Sequence, residues 1–195
     1  MNIQMNETKI PGTVLRKTDM GNVTGLDFLK KIFYITDGIM LSQIREISGI
    51  DGSTLQNWTK RGWVESAKLK KYNIDQVAHI LIINMLRGCM QLDRIAFLIR
   101  YINGSVDDRS DDIIRASELY DYICCILDTL TGEEENRSGA SNLRECIEKV
   151  TEEYVEKIGG ARKRLTNALE IIIAAYYSSM LKHYSEKKLE KLILE

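Results

Sequence analysis

Four polar residues in one short segment have the types and spacing that best suit chemical recognition, and these are Ser53, Thr54, Gln56 and Asn57. Glutamine and asparagine amides each present a donor beside an acceptor, the arrangement that pairs with adenine N6 and N7 in the major groove. Ser53 followed by Gln56 is a capping-box pattern, which predicts a short helix beginning at Ser53. The segment therefore predicts an exposed helix face that can contact the base edges of double-stranded DNA.

Basic residues follow this helix in a stretch where the helical pattern stops. Between Gly62 and Tyr72 the residues favour two short extended strands, formed around Trp63, Val64, Leu69 and Tyr72, with lysines at the bend. Lysine and arginine side chains neutralise DNA phosphates and fix a protein's register on the duplex. We predict such contacts from the helix end and the hairpin, at Lys60, Arg61, Lys68, Lys70, Lys71 and Tyr72.

The elements before and after this segment are those that would hold it in place. Ser42 is positioned to cap a helix over 43–48 that stops at Gly49, and residues 49–52 then form a glycine-containing turn. Two short helices joined in this way are a helix-turn-helix, whose second helix enters the major groove. Asn73 caps a longer, almost wholly apolar helix, and a further amphipathic helix follows to Asn103.

The charge is unevenly distributed along the chain. The net charge of all 195 residues is −1, but residues 33–103 carry nine basic and six acidic side chains, whereas residues 104–160 carry six basic and fifteen acidic ones. A near-neutral total can therefore hide a local positive face. Acidic residues folded over that face would favour a protein-interaction module over a DNA-binding one.

The composition predicts a mainly α protein, because a chain with one proline and thirteen glycines has few of the turns that sheets need. We expect a flexible arm over 1–25, a winged helix-turn-helix domain over 26–103, and an all-helical dimerisation or effector region over 104–195. The sequence shows no secretory signal pattern and no membrane-spanning run, so we expect a cytoplasmic protein.

The final helical tract is apolar around much of its circumference and needs a cover. A symmetric partner is a common remedy, so we predict a homodimer. Its interface is predicted at Leu165, Leu169, Ile172, Ile173, Tyr176 and Met180. Tyrosines could alternatively line a pocket for a small-molecule effector, although core packing is the more frequent role of such a set: Tyr120, Tyr122, Tyr154, Tyr176 and Tyr177.

Residues 39–102 resemble the winged helix-turn-helix of MerR-type transcription regulators. The resemblance is carried by the Gly49 turn, the Ser53-Thr54-Leu55 helix start, an aromatic residue at Trp58, Gly62 before an apolar pair, and Leu86-Arg87-Gly88. It implies a small β-hairpin wing, sequence-specific binding of double-stranded DNA as a dimer, and transcriptional regulation. The chain has Gln56 and Asn57 where MerR-type regulators usually have arginine and tyrosine.

A longer set of motifs resembles an uncharacterised bacterial family that is defined only as a domain of unknown function. These motifs are GSTLQNW, KRGW, KKY, YINGSVDD and SDDII, and they place the resemblance at about 26–130. A helical protein-interaction or dimerisation module whose helix-turn-helix does not bind DNA remains the alternative. We expect no enzyme, no metal and no cofactor, because no catalytic grouping or metal-ligand spacing is present.

Overall fold

The computed structural model describes residues 9–104, 111–132 and 139–194, and over these the protein is mainly α-helical. Two two-residue strands form a small antiparallel sheet in which Ile39 pairs with Tyr72 and Met40 with Lys71. The elements are α1 (Gly25–Ile32), β1 (Ile39–Met40), α2 (Leu41–Ser48), α3 (Gly52–Lys60), β2 (Lys71–Tyr72), α4 (Ile74–Leu86), α5 (Leu92–Asn103), α6 (Ala116–Gly132), α7 (Gly139–Val150) and α8 (Ala161–Leu194). The predicted mainly α fold with a small β-hairpin is confirmed.

Helix α4 is the centre of the core. Nine of its thirteen residues are buried, as its almost wholly apolar sequence predicts. Asn73 caps it as predicted: the Gln76 backbone N–H donates to the Asn73 side chain, and the Gln76 side chain accepts from the Asn73 N–H. Because α4 contacts α2, α5, α6 and α8, it joins the helix-turn-helix to the C-terminal helices.

The C-terminal helices cover α4 and one another. Helix α6 packs against α1, α4 and α7, whereas α8 packs against α4, α5, α6 and α7. One continuous hydrophobic cluster therefore contains side chains from both predicted regions, 26–103 and 104–195. Helix α6 begins at Ala116 and ends at Gly132.

The N-terminal residues 9–23 differ from the expected flexible arm, because they pack into the core. Ile10 is fully buried, the Tyr120 hydroxyl donates to the Pro11 carbonyl (2.7 Å), and the Asn84 side-chain amide donates to the Gly12 carbonyl (2.8 Å). Gly12 has φ +75°, and a Cβ there would lie 2.4 Å from the Leu81 carbonyl oxygen, so only glycine fits this close approach. We call residues 9–16 the N-terminal strap.

The strap also contacts the helix-turn-helix. The Asn84 amide that donates to Gly12 donates to the Ser48 carbonyl as well (2.9 Å), and the Val14 N–H donates to the Ile47 carbonyl (2.9 Å). The last turn of α2 is thereby joined to α4 and the strap. These bonds fix the position of the helix-turn-helix relative to the core.

Candidate nucleic-acid interface

Helices α2 and α3 are two short helices joined by a turn at 49–51, in the chain order that a helix-turn-helix requires. Gly49 ends α2 in the left-handed conformation (φ +69°), and its N–H donates to the Arg45 carbonyl (2.8 Å). The inner faces of the two helices bury Ile44, Leu55 and Trp58. This packing leaves the opposite face of α3 exposed to solvent, which is the orientation that a recognition helix requires.

The cap of α3 is Asp51, and the predicted cap Ser53 is wrong. The Thr54 N–H donates to Asp51 Oδ1 (2.8 Å) and the Thr54 hydroxyl donates to Asp51 Oδ2 (2.6 Å). The Ser53 hydroxyl also donates to this carboxylate. Hydrogen bonds from the hydroxyls of Ser53 and Thr54, and from the Thr54 N–H, hold the pKa of Asp51 well below its usual range. Both predicted contact hydroxyls are therefore engaged within the helix cap.

Gln56 and Asn57 occupy the middle of the exposed face of α3. Within the described part of the chain, neither side-chain amide has a hydrogen-bond partner. Both amides are therefore available for an external donor–acceptor pair, as the sequence predicted. Among the described residues, no contact of either side chain explains why these two positions are amides.

Cationic residues lie at the other end of α3. Lys60 and Arg61 are exposed, and the Arg61 guanidinium lies 5.1 Å from the centre of the Trp63 ring. A cation held over an aromatic face keeps its charge in a defined place. The carboxylate of Asp51 disfavours phosphate at the start of α3, whereas Lys60 and Arg61 favour it at the end.

The predicted wing is present as a short hairpin over residues 68–72, which we call the wing, and it is shorter than expected. The Lys68 N–H donates to the Lys71 carbonyl (3.0 Å) and the Lys71 N–H donates to the Lys68 carbonyl (2.9 Å), which closes a two-residue turn at Leu69 and Lys70. Strand β2 continues from this turn and pairs with β1. The strand expected around Trp63 and Val64 is absent; both side chains are instead buried in the core.

The wing lysines are exposed, whereas the adjacent tyrosine is not. Lys68, Lys70 and Lys71 are all exposed, and within the described residues none of them forms an ion pair. Tyr72 is 8% exposed, and its burial raises the pKa of its hydroxyl. The inclusion of Tyr72 among the contact residues is therefore corrected: its ring anchors β2 in the core beside Ile39.

The wing and α3 belong to one framework. Met40 pairs with Lys71 and also caps α2, which begins at the next residue. The start of α3 lies against the start of α2, because a Cβ on Gly52 would be 3.6 Å from the Leu41 side chain. Residues 41–72 carry six basic and three acidic side chains. The exposed amides and lysines therefore belong to one compact, mildly positive unit.

Two acidic residues of the middle region, both on α6, contact a different part of the chain. Asp121 accepts a hydrogen bond from the Leu26 N–H (2.7 Å), at the start of α1. Asp128 forms an ion pair with Lys17 and accepts from the Thr24 hydroxyl (2.6 Å). These two carboxylates of α6 serve the N-terminal segment and α1, not the lysines of α3 or the wing.

The predicted dimer-interface residues lie in the core of a single chain. Leu165, Leu169, Ile172 and Ile173 are fully buried, Tyr176 is 8% exposed, and Met180 is half-buried. Helices α4, α5, α6 and α7 of the same chain supply the cover that the sequence suggested a second copy would provide. These side chains are therefore already largely covered within one chain.

Exposed apolar residues do occur farther along α8. Every described residue from Leu181 onward is exposed, and the apolar ones include Leu181, Tyr184, Leu189, Leu192 and Ile193. At 34 residues the helix is about 51 Å long, using about 1.5 Å per residue. Its last fourteen residues, which we call the α8 extension, are all exposed, although Lys182 near their start still donates to the Gly88 carbonyl (3.3 Å).

The tyrosines proposed for an effector pocket mostly serve packing. Tyr120 is fully buried with its hydroxyl on Pro11, and the Tyr154 hydroxyl donates to the Ile113 carbonyl (3.0 Å). A cavity of about 450 Å³ lies elsewhere, between the start of α4, the end of α5 and the start of α6. Its lining includes Asp75 and His79 but none of the five tyrosines.

Two further findings concern other classes of site. Across 9–104, 111–132 and 139–194, no three histidine, cysteine or carboxylate side chains are grouped closely enough to hold a metal ion. In those ranges none of the helices combines the length and apolarity that crossing a bilayer requires.

Comparisons with known proteins agree with the longer of the two sequence resemblances. The chain is 28% identical over 120 residues to "Uncharacterized protein YkrK" of Bacillus subtilis (strain 168), which covers 58% of this chain and 51% of the relative. The chain thus spans about half the length of that curated relative, and no solved structure matches it. The MerR-type resemblance stays a prediction. The family model described as "Domain of unknown function (DUF1836)" matches residues 26–123, half of the chain, and the protein therefore belongs to this family.

Proposed function

We propose that the protein binds double-stranded DNA through α3 and the wing, as a transcription regulator of MerR-like type. The observation that carries this proposal is the exposed face of α3, where Gln56 and Asn57 have no partner among the described residues. An amide pair on the second helix of a helix-turn-helix suits readout of adenine in the major groove. Exposed lysines at the end of α3 and on the wing suit the flanking phosphates.

The position of the acidic residues supports DNA over the alternative of a module that does not bind it. The carboxylates of Asp121 and Asp128 are engaged with α1 and the N-terminal segment, so they do not neutralise the wing lysines. Residues 41–72 carry an excess of basic over acidic side chains, and such a positive surface favours an anionic partner. The alternative module would need no such face.

A homodimer is part of this proposal, now with the α8 extension as its interface. Leu181, Leu189 and Leu192 are exposed on a helix that carries both lysine and glutamate between them. A second extension packed against the first would cover these leucines and pair opposite charges. Two copies would present two α3 helices to the half-sites of a palindrome.

The test of DNA binding is selection of bound genomic fragments with the purified protein, followed by affinity measurement by fluorescence anisotropy between about 50 and 200 mM salt. We expect an enriched motif containing adenine. Asn57→Ala should relax the preference at one position, at about 1–3 kcal/mol for a lost bidentate contact. Lys163→Ala is the matched control, because Lys163 is exposed on α8, outside the α3–wing unit. An equal affinity for all sequences with no salt dependence would refute the proposal.

The dimer is tested separately by light scattering at micromolar concentration. The expected mass is twice 22.4 kDa. Leu192→Glu should return the mass to that of one chain, whereas Lys163→Glu, a charge change at an exposed position of α8 outside the extension, should not. A wild-type mass of one chain would reject the dimer without bearing on DNA binding by the single copy.

A further inference from the structure

The turn at the tip of the wing is unusual in its residues. Leu69 and Lys70 both have positive φ, 51° and 63°, as the two central residues of the tight turn between Lys68 and Lys71. Turns of this class favour Asn-Gly or Asp-Gly, because a left-handed backbone is costly for residues with larger side chains. Leucine is among the less suitable residues for the first position.

Leu69 is also the most exposed large hydrophobic residue in the described part of the chain, at 96% of its surface. One residue therefore combines a disfavoured backbone conformation with a fully solvated apolar side chain. Neither feature stabilises the free protein. An outlier of this kind is best explained by a contact that forms only in a complex.

The surroundings of Leu69 identify the chemistry of that complex. Lys68, Lys70 and Lys71 flank it, and all three are exposed and without ion pairs among the described residues. An apolar tip flanked by cationic residues suits a narrow apolar groove bordered by anions. The minor groove of DNA has this form, about 6 Å wide between two rows of phosphates. Leucine is one of the side chains that proteins insert there between base steps.

The wing is anchored firmly enough for insertion. Strand β2 pairs with β1, and the Ile39–Tyr72 pair at their shared end is buried in the core. Met40 of β1 leads directly into α2, against which the start of α3 packs. The wing tip and α3 are therefore carried by the same framework and can contact one stretch of duplex together.

We propose that Leu69 is an apolar wedge that enters the minor groove next to the site read by α3 and partly unstacks one base step. The inference rests on the proposed function and names a specificity determinant within it. Pyrimidine–purine steps unstack most easily. The protein should therefore prefer such a step at the wing position, although it makes no hydrogen bond to those bases.

The experiment uses the full chain and a duplex recovered by the selection described above, with 2-aminopurine placed at each base step beside the α3 site in turn. The wild type should raise the 2-aminopurine fluorescence at one step, because unstacking removes its quenching. Leu69→Asn should abolish this rise and weaken binding about tenfold or more, since the burial of a leucine side chain is lost. Leu69→Met should keep both the fluorescence rise and the affinity of the wild type.

Asparagine also separates function from folding. Because it accepts a left-handed backbone more readily than leucine, Leu69→Asn should keep or raise the melting temperature. Ile35→Asn is the matched control: Ile35 is 89% exposed in the loop between α1 and β1, and its replacement should leave affinity and fluorescence unchanged.

The outcomes separate this inference from the proposed function. If the wild type binds the duplex without a fluorescence rise at any step, or if Leu69→Asn behaves as the wild type, the wedge is refuted and DNA binding stands. If the wild type binds no duplex, both are refuted.

Discussion

Replacement of Asn84 by alanine tests a polar side chain on α4 that joins two other segments of the fold. The Asn84 amide donates to the carbonyls of Gly12 (2.8 Å) and Ser48 (2.9 Å), so one side chain joins the N-terminal strap to the end of α2. Each lost hydrogen bond costs about 1 kcal/mol of stability. Alanine is the better helix former by about 0.5 kcal/mol, which offsets part of that loss. We expect Asn84→Ala to lower the free energy of unfolding by about 1.5 kcal/mol, combining these terms.

The assay is urea denaturation followed by circular dichroism at constant protein concentration, because a dimer would make stability concentration-dependent. Asn57→Ala is the control: it removes an asparagine from a helix, but that amide has no partner among the described residues. Its effect should stay within about 0.5 kcal/mol. A loss of stability in Asn84→Ala no larger than that in Asn57→Ala would refute the reasoning.

A second replacement asks whether the strap acts as a unit. Tyr120→Phe removes the hydroxyl that donates to the Pro11 carbonyl (2.7 Å), at an expected cost of about 1 kcal/mol. Asn84 and Tyr120 donate to the adjacent residues Gly12 and Pro11, so a replacement that detaches the strap at one of them also weakens the remaining hydrogen bond. The double variant should therefore lose at least about 0.5 kcal/mol less than the sum of the single losses. Full additivity would show that the strap does not detach as a unit.

Three further variants have clear expected outcomes. Lys70→Ala should lower the slope of log affinity against log salt by about 1, with all sequences weakened alike, whereas Lys163→Ala should not change it. A sequence-selective loss would contradict a phosphate role. Asp51→Ala should lower the melting temperature at pH 7. The folded-state pKa of Asp51 is depressed, so the stability that its carboxylate adds is complete above its ordinary pKa of about 3.9 and is lost as the pH falls further. The difference in melting temperature between Asp51→Ala and the wild type should therefore shrink in acid. Ile172→Asp should unfold the chain rather than only separate two copies, because Ile172 is fully buried in one chain; a folded monomer by circular dichroism would contradict this.

Local patterns predicted the parts of the fold that local interactions determine. The apolar sequence of α4 and its Asn73 cap, and the stop of α2 at Gly49, depend on residues close in the chain. The start of α3 was harder to place, because Asp51 and Ser53 are both good caps and the sequence pattern favoured the wrong one. The exposure of Gln56 and Asn57 could be predicted because burial of Leu55 and Trp58 determines which face of α3 points to solvent.

The errors concern contacts between distant segments. Strand β1 has two residues, too few to show a period, and its partner lies 31 residues later in the chain. The apolar face of α8 correctly indicated that a cover was needed, but amphipathicity does not say whether that cover comes from the same chain or from another copy. The strap was missed because a single apolar residue, Ile10, beside Pro11 and Gly12 gives no periodic signal.

The strap has a consequence for how the family's domain is delimited. The family match begins at residue 26, yet Tyr120 and Asn84 within it direct their hydrogen bonds to Pro11 and Gly12. An excised fragment spanning 26–123 would leave a buried hydroxyl unsatisfied and open the space that Ile10 fills. The stretch by which the family is recognised is therefore smaller than the unit that this chain folds. A recombinant fragment meant to report on DNA binding should begin no later than Lys9.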